Sequence, residues 1–160
     1  MTAKRARDLI ASEAVCRSAG ISVIDNDDRR ATLEMPVTAE MVTSLGFAHA
    51  GYVVMLADTA SGCVALAIDP GAITTGADVS FLGPARLGDV LVATADLRAR
   101  SGRSLLIDVA VTAGAEAPRR VAEFRARAHL RTPTPDAPTP DAVPRAARVE
   151  PPSHGSLVPD

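Results

Sequence analysis

The sequence predicts an α+β fold in which a curled antiparallel sheet wraps around one long central helix. Residues 51–68 form a continuous apolar stretch of helical length that has no polar face. Four strand-like segments follow it and are separated by turn residues. Because a helix without a polar face has to be covered on most sides, a sheet that curls around it explains both observations. The chain of 160 residues, 47% of them hydrophobic, is long enough for one such domain.

The segments before the long helix predict a short helix and a hairpin. Residues 4–18 place apolar side chains at helical spacing, and Gly20 supplies a stop. Residues 21–24 and 31–35 flank a polar turn at 25–28, and the second run alternates apolar and polar side chains as a half-buried strand does. This pattern predicts a β-hairpin.

The long helix has clear ends in the sequence. Residues 36–41 predict one helical turn with Thr38 as its cap, and a loop leads from there to a helix start near His49. Pro70-Gly71 terminates the helix. Four strands then follow in the order of an antiparallel meander, at 73–82, 90–99, 104–112 and 121–130.

The composition changes abruptly near residue 132. Eight of the twelve prolines lie beyond it, in a segment with almost no periodic apolar residues. We therefore divide the chain into an N-terminal helix, 1–20, a folded domain, 21–131, and a proline-rich tail, 132–160. We expect the tail to be disordered.

Charge and composition exclude several classes of protein. A net charge of −2 offers no concentrated basic surface for nucleic acid. The first residues lack the apolar run of an export signal, and Asp58 in the middle of the apolar helix argues against a membrane span. Cys16 and Cys63 lack metal-ligand spacing, so we expect reduced thiols. These features predict a cytoplasmic protein with no membrane or nucleic-acid partner.

Asp58 is the first candidate for chemistry. Helical spacing puts it on a stripe with small neighbours, which leaves room beside the carboxylate; the stripe consists of Gly51, Val54, Met55, Asp58, Gly62 and Ala65. Burial of a carboxylate is costly and raises its pKa towards neutrality, as a base or nucleophile requires. The alternatives are a structural acid satisfied by backbone donors and an acid that faces solvent at a subunit boundary.

The start of the same helix is the second candidate. Free backbone N–H groups in a first helical turn can hold an oxyanion, and those of Ala50 and Gly51 are placed to do so. His49 taken alone is more typical of a cap or a packing residue. Along one helix Ala50 and Asp58 are about 12 Å apart, too far to act on one carbonyl. The acid that serves a given helix start should therefore come from a neighbouring subunit.

These residues lie in a run that resembles a known family. Residues 41–60, MVTSLGFAHAGYVVMLADTA, are similar to the core motif of the hotdog-fold thioesterases of the phenylacetate-degradation (PaaI) type. In that motif a loop Asn, a His-Gly-Gly and a Leu-Ala-Asp-Thr-Ala follow one another at this spacing. Residues 77–85, 88–91 and 124–131 resemble the next strand, turn and last strand of the family. The resemblance extends over 21–131.

The resemblance implies a hotdog fold and a homo-oligomer, a dimer or a tetramer, in which two sheets join edge to edge with acyl-CoA bound between subunits. It implies that Asp58 is the nucleophile or general base and that the Ala50 N–H, with Gly51 behind it, polarises the thioester carbonyl. His49 would shape that turn and contact the thioester, and Thr43 occupies the place of the loop Asn. Ala50 replaces the first Gly of His-Gly-Gly. No metal or redox cofactor is implied, since CoA is part of the substrate.

A cluster of cations lies in the turn at residues 98–103, where this fold often meets CoA phosphates. Arginine suits phosphate by charge and geometry, so Arg100 and Arg103 are candidates for binding CoA. A solvated turn is the alternative.

The leading hypothesis for function is hydrolysis of an acyl-CoA, with an aryl-acetyl group such as hydroxyphenylacetyl suggested by the resemblance. A non-catalytic acyl-CoA-binding protein is an alternative, because Ala50 and Thr43 depart from the family motif. An acyl dehydratase or hydratase of the same fold is a weaker alternative. It needs an acid and a histidine over one substrate, whereas His49 stands nine residues before Asp58 on one helix.

Overall fold

A computed structural model describes residues 3–114 and 117–131; the predicted tail, 132–160, lies outside the described residues. The helices of the described part are α1 (Ala3–Ser12), α2 (Ala14–Ser18) and α3 (Ala50–Ile68), with a short 3₁₀ helix at Ala39–Met41. The strands are β1 (Ser22–Asn26), β2 (Arg30–Pro36), β3 (Ile73–Phe81), β4 (Val90–Ser101), β5 (Ser104–Ala113) and β6 (Arg119–His129).

The six strands form one antiparallel sheet in the order β1-β2-β4-β5-β6-β3. Strands β4, β5 and β6 make a meander, as predicted. The predicted place of β3 in that meander is wrong, because β3 pairs with β6 at the edge of the sheet and not with β4. The connection 82–89 is too long for a tight hairpin turn. It bonds instead to the loop before α3, where the Ala48 N–H donates to the Ala85 carbonyl at 2.8 Å.

The predicted single helix at 4–18 is broken at Glu13, whose backbone is extended at φ −71° and ψ 128°. The break separates α1 from α2. It allows α1 to bury Ala6 and Ile10 against α3 and β1. The two short helices therefore follow the surface of the domain more closely than one straight helix would.

The predicted hairpin of β1 and β2 is present, but its turn begins later than expected because residues 25 and 26 belong to β1. In the turn, the Asp27 carboxylate accepts from the N–H groups of Arg29 and Arg30, both at 2.7 Å. These two bonds lower the pKa of Asp27. The predicted cap of the next helical turn is wrong in one detail, since the Thr38 side chain makes no capping hydrogen bond.

Helix α3 has the predicted ends, with His49 as its N-cap and Asp69 as its C-cap. The sheet and α1 cover one side of it, where nine residues are buried: Val53, Leu56, Ala57, Ala60, Ser61, Cys63, Val64, Ala65 and Ala67. On the other side Gly51 and Asp58 are exposed, whereas Met55, Thr59 and Gly62 are half-buried. The prediction that the sheet buries the helix almost all round is wrong for a single chain, because six strands curl around only one side.

By length and composition α3 is apolar enough to cross a membrane, but 50% of its most apolar window is buried inside this domain. That is typical of a core helix. The core around it is rich in alanine, and Phe124 is the only buried aromatic residue in the described part of the chain. Small side chains let the helix and sheet approach closely.

Both cysteines are free thiols inside this core. Burial raises the pKa of Cys16 and of Cys63 to about 11. Both side chains therefore stay protonated at neutral pH and behave as small apolar groups.

Candidate active site

A short loop places Thr43 beside the start of α3. The backbones of Val42 and Ala48 pair as an isolated antiparallel bridge. Inside this bridge the Thr43 N–H donates to the Phe47 carbonyl at 2.8 Å, and the Gly46 N–H donates to the Thr43 carbonyl at 2.9 Å. Gly46 has a φ of 76°, a left-handed conformation that glycine adopts without strain. The loop thus fixes Thr43 next to the residues that lead into the helix.

His49 caps the N-terminus of α3. Its Nδ1 accepts a hydrogen bond from the Gly51 N–H at 3.0 Å, and its own N–H donates to the Met41 carbonyl at 2.8 Å. When Nδ1 is an acceptor, a neutral imidazole carries its proton on Nε2. His49 is therefore first a structural cap, and its Nε2–H remains a possible donor to a bound group.

The cap decides which of the two predicted N–H donors is available. The Gly51 N–H is occupied by His49, whereas the Ala50 N–H has no protein acceptor among the described residues. Ala50 is exposed and is the first residue of the helix, where N–H groups have no partner within the helix. A Cβ on Gly51 would lie 3.0 Å from His49 Nδ1, so a larger residue at position 51 would crowd this cap.

Asp58 lies on the open side of α3 and is exposed in the single chain. Its Oδ1 accepts a hydrogen bond from the Thr74 hydroxyl at 3.1 Å. The prediction of a carboxylate buried within the chain is wrong, because the sheet covers the opposite side of the helix. Its position matches the alternative considered from the sequence, an acid that faces outward where another subunit could meet it.

The predicted site residues form two groups in one chain. Thr43, His49 and Ala50 gather at the start of α3. Asp58 lies two turns further along, and eight residues of helix put it about 12 Å from Ala50. The two groups therefore do not converge on one carbonyl within a single chain.

Sequence reasoning did not identify Thr74. It lies in β3, and strand periodicity does not say which helical residue a strand side chain will meet. The neighbouring Thr75 directs its hydroxyl elsewhere, to the Arg127 carbonyl at 3.2 Å. Only the packing of β3 beside α3 distinguishes these two threonines.

Strand β3 is an open edge beside Asp58. Within the described part of the chain it pairs only with β6, and every residue of it except Gly76 is exposed. Apolar side chains are exposed along it, with Ile73 at 65% and Phe81 at 50%. A long edge strand with exposed apolar side chains is a site at which another chain can pair.

The structure separates the two arginines that were predicted to bind CoA. A register shift between Leu97 and Ala99 interrupts β4 just before them. Arg100 lines a cavity of about 730 Å³ together with Asp27, Asp28 and Arg29. Arg103 lines a different one of about 360 Å³ together with His129 and Arg131.

A protein metal site needs several His, Cys, Asp or Glu side chains close together. Within residues 3–114 and 117–131, no three His, Cys, Asp or Glu side chains are grouped as a metal site.

Comparisons with known proteins agree with the resemblance in the sequence. The sequence profile of the thioesterase superfamily matches residues 45–117. The acyl-coenzyme A thioesterase PaaI of Escherichia coli (strain K12) is 29% identical over 126 residues, which cover 79% of this chain and 89% of that protein.

Solved structures give the same result. The structure of the E. coli PaaI protein from the phenylacetic acid degradation operon has a TM-score of 0.75 and 27% identity, and the match covers 82% of this chain and 94% of that one. A hypothetical thioesterase from Streptococcus pneumoniae, solved with coenzyme A, has a TM-score of 0.70 and 21% identity over 78% of this chain and 95% of its own. At that identity the likeness supports the fold alone.

The fold prediction is confirmed by the curled antiparallel sheet with one long helix that these relatives share. The enzyme prediction is confirmed at the level of the family. The chain resembles the hotdog-fold thioesterases of the PaaI type in both sequence and fold, and the comparisons support a thioester hydrolase.

Proposed function

We propose that the protein hydrolyses an aryl-acetyl-type acyl-CoA, such as hydroxyphenylacetyl-CoA, to the free acid and CoA at a site shared by two subunits. The observation that carries the proposal is the division of the site. A donor at the start of α3 and a carboxylate about 12 Å along the same helix cannot serve one carbonyl in one chain. The open edge strand beside Asp58 offers the place where a second copy would bring its own helix start to the acid.

Two sheets that join edge to edge through β3 would form a homodimer with two such sites, and further association of dimers would give a tetramer. A two-fold axis makes each chain supply the acid of one site and the helix start of the other. Pairing would also cover the exposed apolar side chains of β3.

The chemistry follows from the groups that meet there. Asp58 acts as general base, taking a proton from a water molecule whose oxygen attacks the thioester carbonyl carbon. The carbonyl oxygen becomes an oxyanion, which accepts the hydrogen bond of the partner's Ala50 N–H. The C–S bond then breaks, and the departing CoA sulfur takes the proton from Asp58. Direct attack by the carboxylate, followed by hydrolysis of the anhydride, uses the same two groups.

The remaining residues orient these groups. Thr74 donates to Asp58 Oδ1, which leaves Oδ2 to face water. His49 fixes the first turn through Gly51, and its Nε2–H can contact the thioester. Thr43, in the place of the family's loop Asn, offers a hydroxyl that is shorter than an amide.

The acyl group is proposed from the relatives. The E. coli protein similar to this chain belongs to the phenylacetic acid degradation operon. A cytoplasmic location is supported by the two free thiols, which are typical of reducing compartments.

The decisive experiment measures CoA release from phenylacetyl-, hydroxyphenylacetyl-, benzoyl- and straight-chain acyl-CoAs by wild type and by Asp58→Asn. We expect the substitution to reduce kcat by a factor on the order of 10² or more, since it removes the base and keeps the shape. Asp69→Asn is the matched control. It makes the same change at the C-cap of α3, where the amide oxygen can still accept from the Gly71 N–H.

A non-catalytic acyl-CoA-binding protein is the second candidate, favoured by Ala50 and Thr43, where the chain departs from the family motif. It predicts that the wild type binds acyl-CoA but releases no CoA from any member of the panel. Turnover that survives in Asp58→Asn would contradict the role of Asp58 and leave the hydrolysis itself in place.

A further inference from the structure

The loop between β3 and β4, residues 82–89, is anchored to the first residues of β6. The N–H groups of Leu82 and Gly83 both donate to the Val121 carbonyl, at 2.8 Å and 3.2 Å. A Cβ on Gly83 would lie 2.8 Å from the Arg120 carbonyl oxygen, so glycine permits this close approach of two backbones. The loop therefore begins in a fixed position against β6.

Arg119 and Asp89 form a clamp across this loop. One terminal nitrogen of Arg119 donates to the Pro84 carbonyl at 3.1 Å, and the other donates to an Asp89 carboxylate oxygen at 2.8 Å. The same oxygen accepts the Arg86 N–H at 2.8 Å. The ion pair is partly withdrawn from water, since 19% of the Asp89 side chain and 42% of the Arg119 side chain remain exposed. The clamp therefore joins both ends of the loop to β6.

The middle of the loop contacts the segment that leads into α3. The Ala85 carbonyl accepts the Ala48 N–H at 2.8 Å, and the backbones of Phe47 and Arg86 pair as an isolated bridge. The Arg86 guanidinium also lies over the Phe47 ring, 5.9 Å from its centroid. Ala85 is buried. The loop thus transmits the position of the clamp to the residues just before the helix.

Residues 47–49 are held on two sides. On one side they bond to the backbone of Met41 and Thr43, and on the other side they bond to the loop 82–89. The first support is near in sequence, whereas the second comes from a distant part of the chain. Because Ala50 follows these residues directly, the direction of its N–H depends on both supports.

We propose that Arg119 and Asp89 are positioning residues for hydrolysis, which act through the loop 82–89 to hold the Ala50 N–H in the direction of the thioester oxygen. This rests on the proposed function for the role of that N–H. Neither side chain touches the substrate. A donor stabilises an oxyanion most when its position is fixed before the reaction, and a displacement of about 1 Å can lower a rate by on the order of 10².

The first test measures steady-state CoA release by Arg119→Met, which keeps an apolar stem and removes both hydrogen bonds of the clamp. We expect kcat to fall by roughly tenfold with KM unchanged, because the oxyanion forms only in the transition state. Asp89→Asn should give the same defect, since its amide oxygen can still accept the Arg86 N–H while the ion pair is lost. Arg120→Met is the matched control, because Arg120 is the next residue of β6 and pairs with Glu123.

A double variant tests whether the two side chains act as one unit. Arg119→Met/Asp89→Asn should be no slower than either single variant, because each substitution already opens the clamp. Arg119→Lys keeps a positive charge beside Asp89 and should recover part of the rate. Two independent defects would instead multiply to a loss of about a hundredfold, and that result would overturn the clamp.

Amide hydrogen exchange provides a measurement that needs no hydrolysis. In Arg119→Met the Ala48 N–H should exchange faster, because the Ala85 carbonyl that accepts it is held less firmly, whereas the Ala57 N–H in the middle of α3 should exchange as in the wild type. Unchanged exchange at Ala48, an unchanged kcat, or a defect in KM alone would overturn the proposal. Faster exchange at Ala48 in Arg119→Met, with no CoA release by the wild type, would support the clamp and refute the proposed function.

Discussion

Single hydrogen bonds set the direction of each functional group in the site. His49 Nδ1 takes the Gly51 N–H and so leaves the Ala50 N–H as the available donor. The Thr74 hydroxyl donates to one oxygen of Asp58, and the other oxygen has no protein donor among the described residues. A site of this kind is sensitive to the loss of one hydroxyl or to the gain of one methyl group.

At this scale we predict that Thr74→Val lowers kcat by roughly tenfold with little change in KM, because an unbonded Asp58 carboxylate samples other rotamers. Steady-state CoA release measures the effect. Thr74→Ser should restore the rate. Thr59→Val serves as control, because the Thr59 hydroxyl bonds the Met55 carbonyl of its own helix at 2.7 Å. A Thr74→Val enzyme as fast as wild type would exclude the orienting role.

Among the elements, the outer face of the sheet carries a row of charges across five strands. Successive cross-strand partners in this row are Arg30, Asp96, Asp108, Arg125 and Asp78. Asp108 is the centre of it, bonded by Arg125 at 2.6 Å and 2.9 Å and approached by Arg98 at 3.3 Å. The bonds from Arg125 lower the pKa of Asp108. A face of this composition is solvated. Its cross-strand pairs of opposite charge favour the observed strand register.

The lowered pKa values predict the acid limit of stability. Asp27, Asp89 and Asp108 titrate below their ordinary range in the folded chain. A carboxyl group with a lowered folded pKa contributes stability above its unfolded pKa, and this stability is lost as the pH falls through the folded value. We expect the urea midpoint to decline below about pH 4.

Asp108→Asn isolates one part of this effect. It should lower the free energy of unfolding at pH 7 by about 1 kcal/mol or less, and the difference from wild type should shrink in acid, where Asp108 is itself protonated. Asp25→Asn, at a carboxylate 87% exposed and 4.0 Å from Arg7, should change little at either pH. An Asp108→Asn deficit that persists in strong acid would show that lost packing, and not charge, is responsible.

For the whole molecule, the decisive feature is that the proposed site residues lie in two separate groups within one chain, at the start of α3 and at Asp58. The curl of the sheet leaves one side of α3 open. Beside it, β3 pairs with β6 along one side and has no strand along its other side in the described part of the chain. Both features lie on the side that carries Asp58. Under the proposed function, a single chain with a complete core would therefore still lack a complete site.

Mixed dimers test this division. Ala50→Pro removes the N–H at the first helical position, where proline is tolerated, and Asp58→Asn removes the base. Each homodimer should be inactive, whereas a mixed dimer of the two variants should regain one of two sites, about half of the wild-type rate. Tagged co-expression and CoA release measure it.

The matched control pairs wild type with the double variant Ala50→Pro/Asp58→Asn. A shared site predicts no activity from this mixed dimer, since each site would contain one defect. A site contained within one chain predicts the reverse of both results, with activity in the control and none in the first mixture.

Periodicity and turn chemistry predicted the helix at Ala50–Ile68, the hairpin of β1 and β2 and the meander of β4 to β6. Each depends on contacts between residues near in sequence. The motif at residues 41–60 predicted the resemblance to the PaaI-type thioesterases, which the comparisons confirm. Sequence reasoning missed Thr74, because a threonine in a strand has no distinctive local pattern.

The sequence by itself determined the central helix, its capped start, the acid within it and the resemblance to the PaaI-type thioesterases, because these depend on short-range order. Only the tertiary structure decided that β3 lies at the edge of the sheet and that Asp58 is exposed and accepts a hydrogen bond from Thr74. It also decided that Arg100 and Arg103 line different cavities. Which side of a helix the sheet leaves open depends on strand order and curl, and these arise from long-range pairing that no local pattern specifies.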